Sequence, residues 1–284
     1  MIAKITLLIF SGGYYVGNAG SMARMGPAEF IFWFILTVLI IFSILGYLYL
    51  QRYEIMLTRL HRYMFELTEE QRGILGTFKF YHVYSATDRQ RFEKRVRNFL
   101  VAKDFKAIQH ERITEEMKVL IAAACIHLTF GHRPFYLSHF NTIYISPSSP
   151  LNLKGIKQQK TLTISWLDFF EGYSNVKDGY NPGMASLAMA LILEEKLRNE
   201  SDKLFGNYAF RNWHTKSKSV AALFIQTGLT PFKNYTEIDK DEYFATSVVY
   251  FFESPENFHA KFPDLYDAMK KLLNQNPLTY KNKA

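Results

Sequence analysis

NPGMASLAMALILEE, residues 181–195, carries no charge until its last two positions. Asn181 suits an N-cap, Pro182 suits a first helical position, and Ala, Leu and Met fill the turns that follow. The stretch reads as a helix of a protein core. Upstream, SATDRQRFEKRVRNFLVAK (85–103) starts at Ser85 and places Phe92, Val96, Phe99 and Leu100 at the spacing of one buried helical face. TEEMKVLIAAACIHLTFG (114–131) opens with Thr114, Glu115 and Glu116, which suit the positive end of a helix, and closes at Gly131. It is nearly all apolar and is predicted to be a central helix. NTIYISP (141–147) and TLTISW (161–166) are short β-branched and aromatic runs between turn formers, hence strands.

Downstream of the 181–195 helix a polar segment extends to about Tyr235. C-terminal helices follow: one containing DEYFATSVVYFF (241–252), one starting SPENF at Ser254 as cap before Pro255, and one starting FPDLYDAMKKLL, with Pro263 in its first turn. The expected fold class is α+β with helices dominant and a small β-sheet. No internal repeat or low-complexity block is present.

FIFWFILTVLIIFSILGYLYL, residues 30–50, is a second kind of signal: a 21-residue run without a charge. At about 1.5 Å per residue it crosses a ~30 Å hydrocarbon layer, and Trp33, Tyr47 and Tyr49 suit the membrane interfaces. The chain therefore divides into an N-terminal segment (1–29), a transmembrane helix (30–50), a juxtamembrane helix or linker (51–77), a domain (78–275) and a tail (276–284). The short apolar run MIAKITLLIF leaves open whether residues 1–25 are a cleaved signal peptide or a loose terminus. Arg52, Arg59, Arg62 and Arg72 follow the span and only Arg24 closely precedes it, so positive-inside counting puts the large C-terminal part in the cytoplasm. Ile55, Leu57, Leu60 and Met64 lie among charges, a pattern that fits a helix lying along the bilayer or a simple helical linker.

Composition bounds the chemistry. With 48% hydrophobic and 16% aromatic residues, the 284-residue chain can bury a substantial core. Its 34 basic against 26 acidic residues give a net charge of +8, compatible with an anionic bilayer or acidic partner and equally with a solvated basic surface. Apart from Lys154, Lys157 and Lys160 the basic residues are scattered, and no nucleic-acid fingerprint accompanies them. Cys125 is the sole cysteine, which excludes an intrachain disulfide and a cysteine-based zinc ribbon; IAAACIHL predicts a buried thiol. There is no HExxH, Walker A, GxGxxG or GxSxG motif, and no two of the eight histidines are four apart. His127 and His132 are expected to be locally satisfied rather than ligands.

Five blocks taken in order carry a resemblance: FEKRVRNFLVAKDF, ITEEMKVLIAAACIHLTFG, FNTIYISP, ISWLDFFEGYSNVKDGYNPG and DEYFATSVVYFFESPENFHAKFPDLYDAM. Together they resemble the zinc-dependent peptidases related to Mlc titration factor A, the M90 type, over about residues 78–275. The resemblance implies a mostly helical, gluzincin-like metallopeptidase domain. It also implies that the helix after "DG-N" should carry HExxH, whose two histidines point the same way to bind zinc while the glutamate activates the metal-bound water. Here the motif falls on ASLAM: Ala185 and Met189 stand where the histidines belong, and Ser186 where the glutamate belongs. The family's third ligand, in an E-x-F-A stretch, matches Glu242, and a tyrosine seven residues earlier matches Tyr235. A further family glutamate matches Val249. On residue chemistry alone, Glu242 is a helix N-terminal carboxylate and Tyr235 a loop aromatic.

The residues therefore predict no zinc and no peptidase turnover by the family mechanism. Alanine offers no donor, a thioether matches copper(I) better than zinc, and a serine hydroxyl is no base near neutral pH without assistance. The expected function is a membrane-anchored homologue without catalysis, binding a protein or peptide partner. Two alternatives stay open: an active enzyme, either a peptidase with non-standard ligands or a hydrolase using Ser186, with His127, His132 or His214 brought close by folding; and a purely structural membrane-complex protein whose cleft has collapsed into core.

Overall fold

The computed structural model describes residues 27–52, 66–108, 112–147, 155–156, 161–174, 181–227 and 239–280. Tyr235, the amphipathic stretch at 55–64, Arg24, Arg59, Arg62 and the lysines at 154, 157 and 160 lie outside them. The chain divides into two compact units, residues 1–50 and 51–284.

In the first unit, α1 (Pro27–Arg52) contains the apolar run. Ile31–Tyr49 has a mean hydropathy of 2.6 with none of its window buried, so it is long and apolar enough to cross a membrane.

The second unit is mostly helical around a three-stranded parallel sheet, as α+β patterning predicts. Its helices are α2 (Glu69–Thr77), α3 (Ala86–Ala102), α4 (Glu115–Thr129), α5 (Trp166–Ser174), α6 (Pro182–Leu197), α7 (Asn207–Thr227), α8 (Lys240–Glu253), α9 (Pro255–Lys261) and α10 (Pro263–Leu273). The strands are β1 (Asp104–Ala107), β2 (Thr142–Ser146) and β3 (Leu162–Ser165), in spatial order β1-β2-β3. Phe105 pairs in register with Ile143, and Ile145 with Ile164.

The starts of the main helices are fixed by side chains that satisfy otherwise unpaired backbone N–H groups. Ser85 accepts from the Asp88 amide, Thr114 from Met117, and Asn181 from Met184. Ser254 departs from expectation: it occupies the N-cap position of α9 but makes no capping bond, its hydroxyl oxygen accepting instead from Asn257 Nδ2. The segment after α6 departs as well. What reads as polar connection is largely the 21-residue helix α7, because its outer face is polar while Trp213 and Ser217 are buried on its inner face.

Central helix α4 is buried along its length from Val119 to Thr129. Its C-terminal carbonyls find donors from distant sequence. Arg95 donates to the Phe130 and His132 carbonyls, Gln275 Nε2 to those of His127 and Leu128, and Asn274 Nδ2 to that of Gly131. Gly131 is required there, since a Cβ would meet the Asn274 carbonyl oxygen at 2.3 Å.

Candidate functional site

The helix pair α6 and α8 frames the site. Both are buried along nearly their whole length, from Pro182 to Glu195 and from Asp241 to Glu253, and they pack against each other. α6 can be buried all round because it has no charge before Glu194 and alternates small with large apolar side chains. α8 is capped by Asp239, whose carboxylate accepts from the Asp241 and Glu242 amides at 2.9 and 3.3 Å. Its start is tied to the end of α6 by an ion pair between Asp241 and Lys196.

Ala185 and Ser186 are each 4% exposed and Met189 is 0% exposed. The Ser186 hydroxyl donates to the Pro182 carbonyl at 3.0 Å, one turn back on its own helix. On the partner helix Glu242 is buried, and Val249 lies in the core. Tyr235 is outside the described residues. Phe169 of α5 covers the first turn of α6 at Gly183, and a narrow crevice reaches that turn between Phe78, Phe80, Phe169, Tyr173, Asn181 and Met184. Ala185, Ser186 and Met189 do not line that crevice.

Among the described residues no group of three or more His, Cys, Asp and Glu side chains is placed to hold a metal ion. The donor chemistry at the family positions does not fit zinc: a methyl group, a buried thioether and one carboxylate cannot supply the three nitrogen or oxygen donors of a catalytic zinc site.

Of the histidines that a serine mechanism would need, His127 and His132 are engaged elsewhere. His127 is wholly buried in α4; its Nδ1 shares a 2.7 Å hydrogen bond with the Tyr84 hydroxyl, and its ring stacks on Phe80 with centroids 4.0 Å apart. Burial pulls its pKa down to about 3. Its Nε2 has no partner among the described residues, so it is only half satisfied, short of the sequence expectation. His132 Nε2 meets the Leu272 carbonyl at 2.8 Å, as local satisfaction predicts. His214 sits on α7 among Lys218, Lys240 and Lys196. Cys125 is buried and burial pushes its thiol up to about 12, the opposite of an activated nucleophile.

Sequence reading passed over the polar pair that ends α6. Glu194 is fully buried and accepts from Ser138 Oγ at 2.8 Å, from the His139 amide at 2.9 Å and from Arg198 Nε at 2.9 Å, with His139 Nδ1 also at 2.9 Å. Glu195 accepts from the Leu204 and Phe205 amides at 2.8 and 3.0 Å, and desolvation raises its carboxyl pKa despite those bonds. Two adjacent carboxylates closing an otherwise apolar helix were the available signal, since buried charges require partners.

The domain is thus mostly helical with a small parallel sheet, and its two long buried helices α6 and α8 carry the positions that the resemblance assigns to the motif and the third ligand. The profile of the glucose-regulated metallo-peptidase M90 family matches residues 56–273, and the chain belongs to that family. A search of curated proteins found no match.

Proposed function

We propose that this protein is a membrane-anchored pseudopeptidase: an M90 scaffold whose catalytic centre has become core, and which serves as a binding or regulatory module for another protein. The observation that carries the reading is the state of the three motif positions. Ala185 and Met189 are buried in the core and the Ser186 hydroxyl is committed to its own helix. The groups with which the family mechanism holds a metal and activates its water, two imidazoles one turn apart and a glutamate, are replaced here by a methyl, a thioether and a hydroxyl, so that mechanism lacks its parts. Because the motif positions are sealed, the partner is recognised by the outer surface rather than by the former cleft.

Anchoring is supported by the apolar Ile31–Tyr49 helix, and a cytoplasmic domain by the arginines that follow it. The test is elemental analysis of the full chain, purified in detergent and dialysed, together with a peptidase assay on unfolded protein. Less than a tenth of an equivalent of zinc and no cleavage above background are expected. Stoichiometric zinc that survives dialysis, or turnover abolished by Glu242→Gln, overturns the reading.

A further inference from the structure

A cationic face lies where α6 ends, α7 runs and α8 begins. The Lys196–Asp241 ion pair joins the end of α6 to the start of α8. Trp213 of α7 meets Phe244 of α8 edge-on, with centroids 5.1 Å apart, and brings α7 to the same end. Lys196, Lys218 and Lys240 are all exposed at this junction. His214 lies in their midst, and after burial it is these three ammonium groups that hold its pKa below the ordinary value. Lys218 and Lys240 have no ion-pair partner among the described residues; of the carboxylates where α8 starts, Asp241 is buried and pairs with Lys196, Glu242 is buried, and half-buried Asp239 is taken up in capping the helix.

The outer face of α7 extends this surface. At 100° per residue, Tyr208, Arg211, Thr215, Lys218 and Ser219 fall within an arc of about 100°, and all five are exposed. Tyr208 is 79% exposed and Leu197, next to Lys196, is 40% exposed. Cations alone would suit any acidic partner. Cations around a bare tyrosine and leucine have the composition of a bilayer interface, where Lys and Arg meet headgroups and aromatic rings sit at their level.

We propose that this face, formed by Lys196, Leu197, Tyr208, Arg211, Lys218 and Lys240, docks on anionic phospholipid headgroups of the membrane that carries the chain. The proposal rests on the anchoring reading above. The 17 residue steps from Leu50 to Leu67, the first core residue of the domain among those described, reach at most roughly 60 Å. An inserted span thus keeps the domain beside the bilayer, where a small attraction suffices.

The test uses the full chain in nanodiscs of phosphatidylcholine, with or without phosphatidylserine, labelled with an environment-sensitive dye at Thr215→Cys. The buried Cys125 stays unlabelled. A blue-shifted, brighter label is expected in the phosphatidylserine discs alone, reverting in about 1 M salt, where the screening length falls to ~3 Å. Each Lys→Ala change at 196, 218 or 240 should weaken docking about fivefold, with unchanged circular dichroism as the folding control. Equal emission in both lipids, or docking that survives Lys196→Glu, Lys218→Glu and Lys240→Glu combined, overturns the proposal. So does a label response to an acidic peptide in phosphatidylcholine discs that exceeds the response to phosphatidylserine, which would assign the face to a protein. An alkaline carbonate wash tests the anchor separately. If it strips the chain from membranes, flotation with vesicles of the same two compositions still reads the face.

Discussion

Phe169 lies across Gly183 so closely that a Cβ built on the glycine would meet the phenyl Cδ2 at 2.3 Å and its Cβ at 2.8 Å. Helix α5 is thereby seated directly on the first turn of α6, two residues before Ala185, where the resemblance places the start of the motif. Gly183→Ala should therefore lower stability by about 1–3 kcal/mol, the cost of overpacking, despite alanine's better helix propensity. Urea unfolding of the full chain in detergent checks this. A Gly183→Ala variant as stable as the parent would mean that the ring moves aside and the cleft is looser than described.

Met189 distinguishes a filled site from a groove. As a fully buried side chain, its truncation to alanine should cost about 2–5 kcal/mol through lost burial and a residual cavity. Were Met189 lining an open channel, the loss would stay well under that range. Chemical denaturation with and without a small apolar ligand such as benzene measures both the cost and the cavity.

Acid should weaken the fold through His127. Its folded pKa, about 3, lies below the value of about 6.5 it has when unfolded, so the folded state binds fewer protons. Its contribution is complete above about pH 6.5 and is lost as pH falls from there toward 3, at a slope of up to ~1.4 kcal/mol per pH unit. His127→Phe should start less stable, because the Tyr84 hydroxyl loses its partner, yet show a flatter pH dependence between 6.5 and 4.5. Parallel slopes for parent and variant would place the acid sensitivity elsewhere.

Glu194 anchors α6 to the loop at Ser138 and His139 and to Arg198. Arg198 also stacks over the Phe135 ring at 4.4 Å, so the carboxylate holds a guanidinium in place as well as an amide. Removing one member of a buried charge pair costs about 3–5 kcal/mol. Glu194→Ala should unfold at correspondingly lower denaturant. Glu194→Gln should recover part of the loss, by keeping an acceptor for Ser138.

Helix starts were legible because they are local: Ser85, Thr114 and Asn181 cap from within three residues. Strand β1 was not read. DFKA is only four residues long, with alternate half-exposed positions, and it exists through its register with β2 some 38 residues later. α7 was passed over because its exposed face is rich in Asn, Arg, Lys and Ser; Phe210, Trp213 and Ser217 at spacings of three and four were the usable trace. The assignment of the motif to positions 185, 186 and 189 rests on resemblance alone, since an apolar helix looks the same whether it was always core or replaced a metal site. Glu194 was missed for a physical reason: Ser138 and His139, which make its burial tolerable, sit about 55 residues upstream.

The bonds that Gln275 and Asn274 make to the carbonyls of His127, Leu128 and Gly131 have a consequence for biogenesis. The most interior helix finishes being closed off only by residues synthesised almost 150 positions after it. During translation the nascent domain must wait, with an apolar rod lacking its terminal acceptors' partners, until nearly the last helix has left the ribosome. A released chain truncated before Asn274 should consequently be held by chaperones and cleared by proteases, whereas one that includes Gln275 can close this end of the helix once it is released.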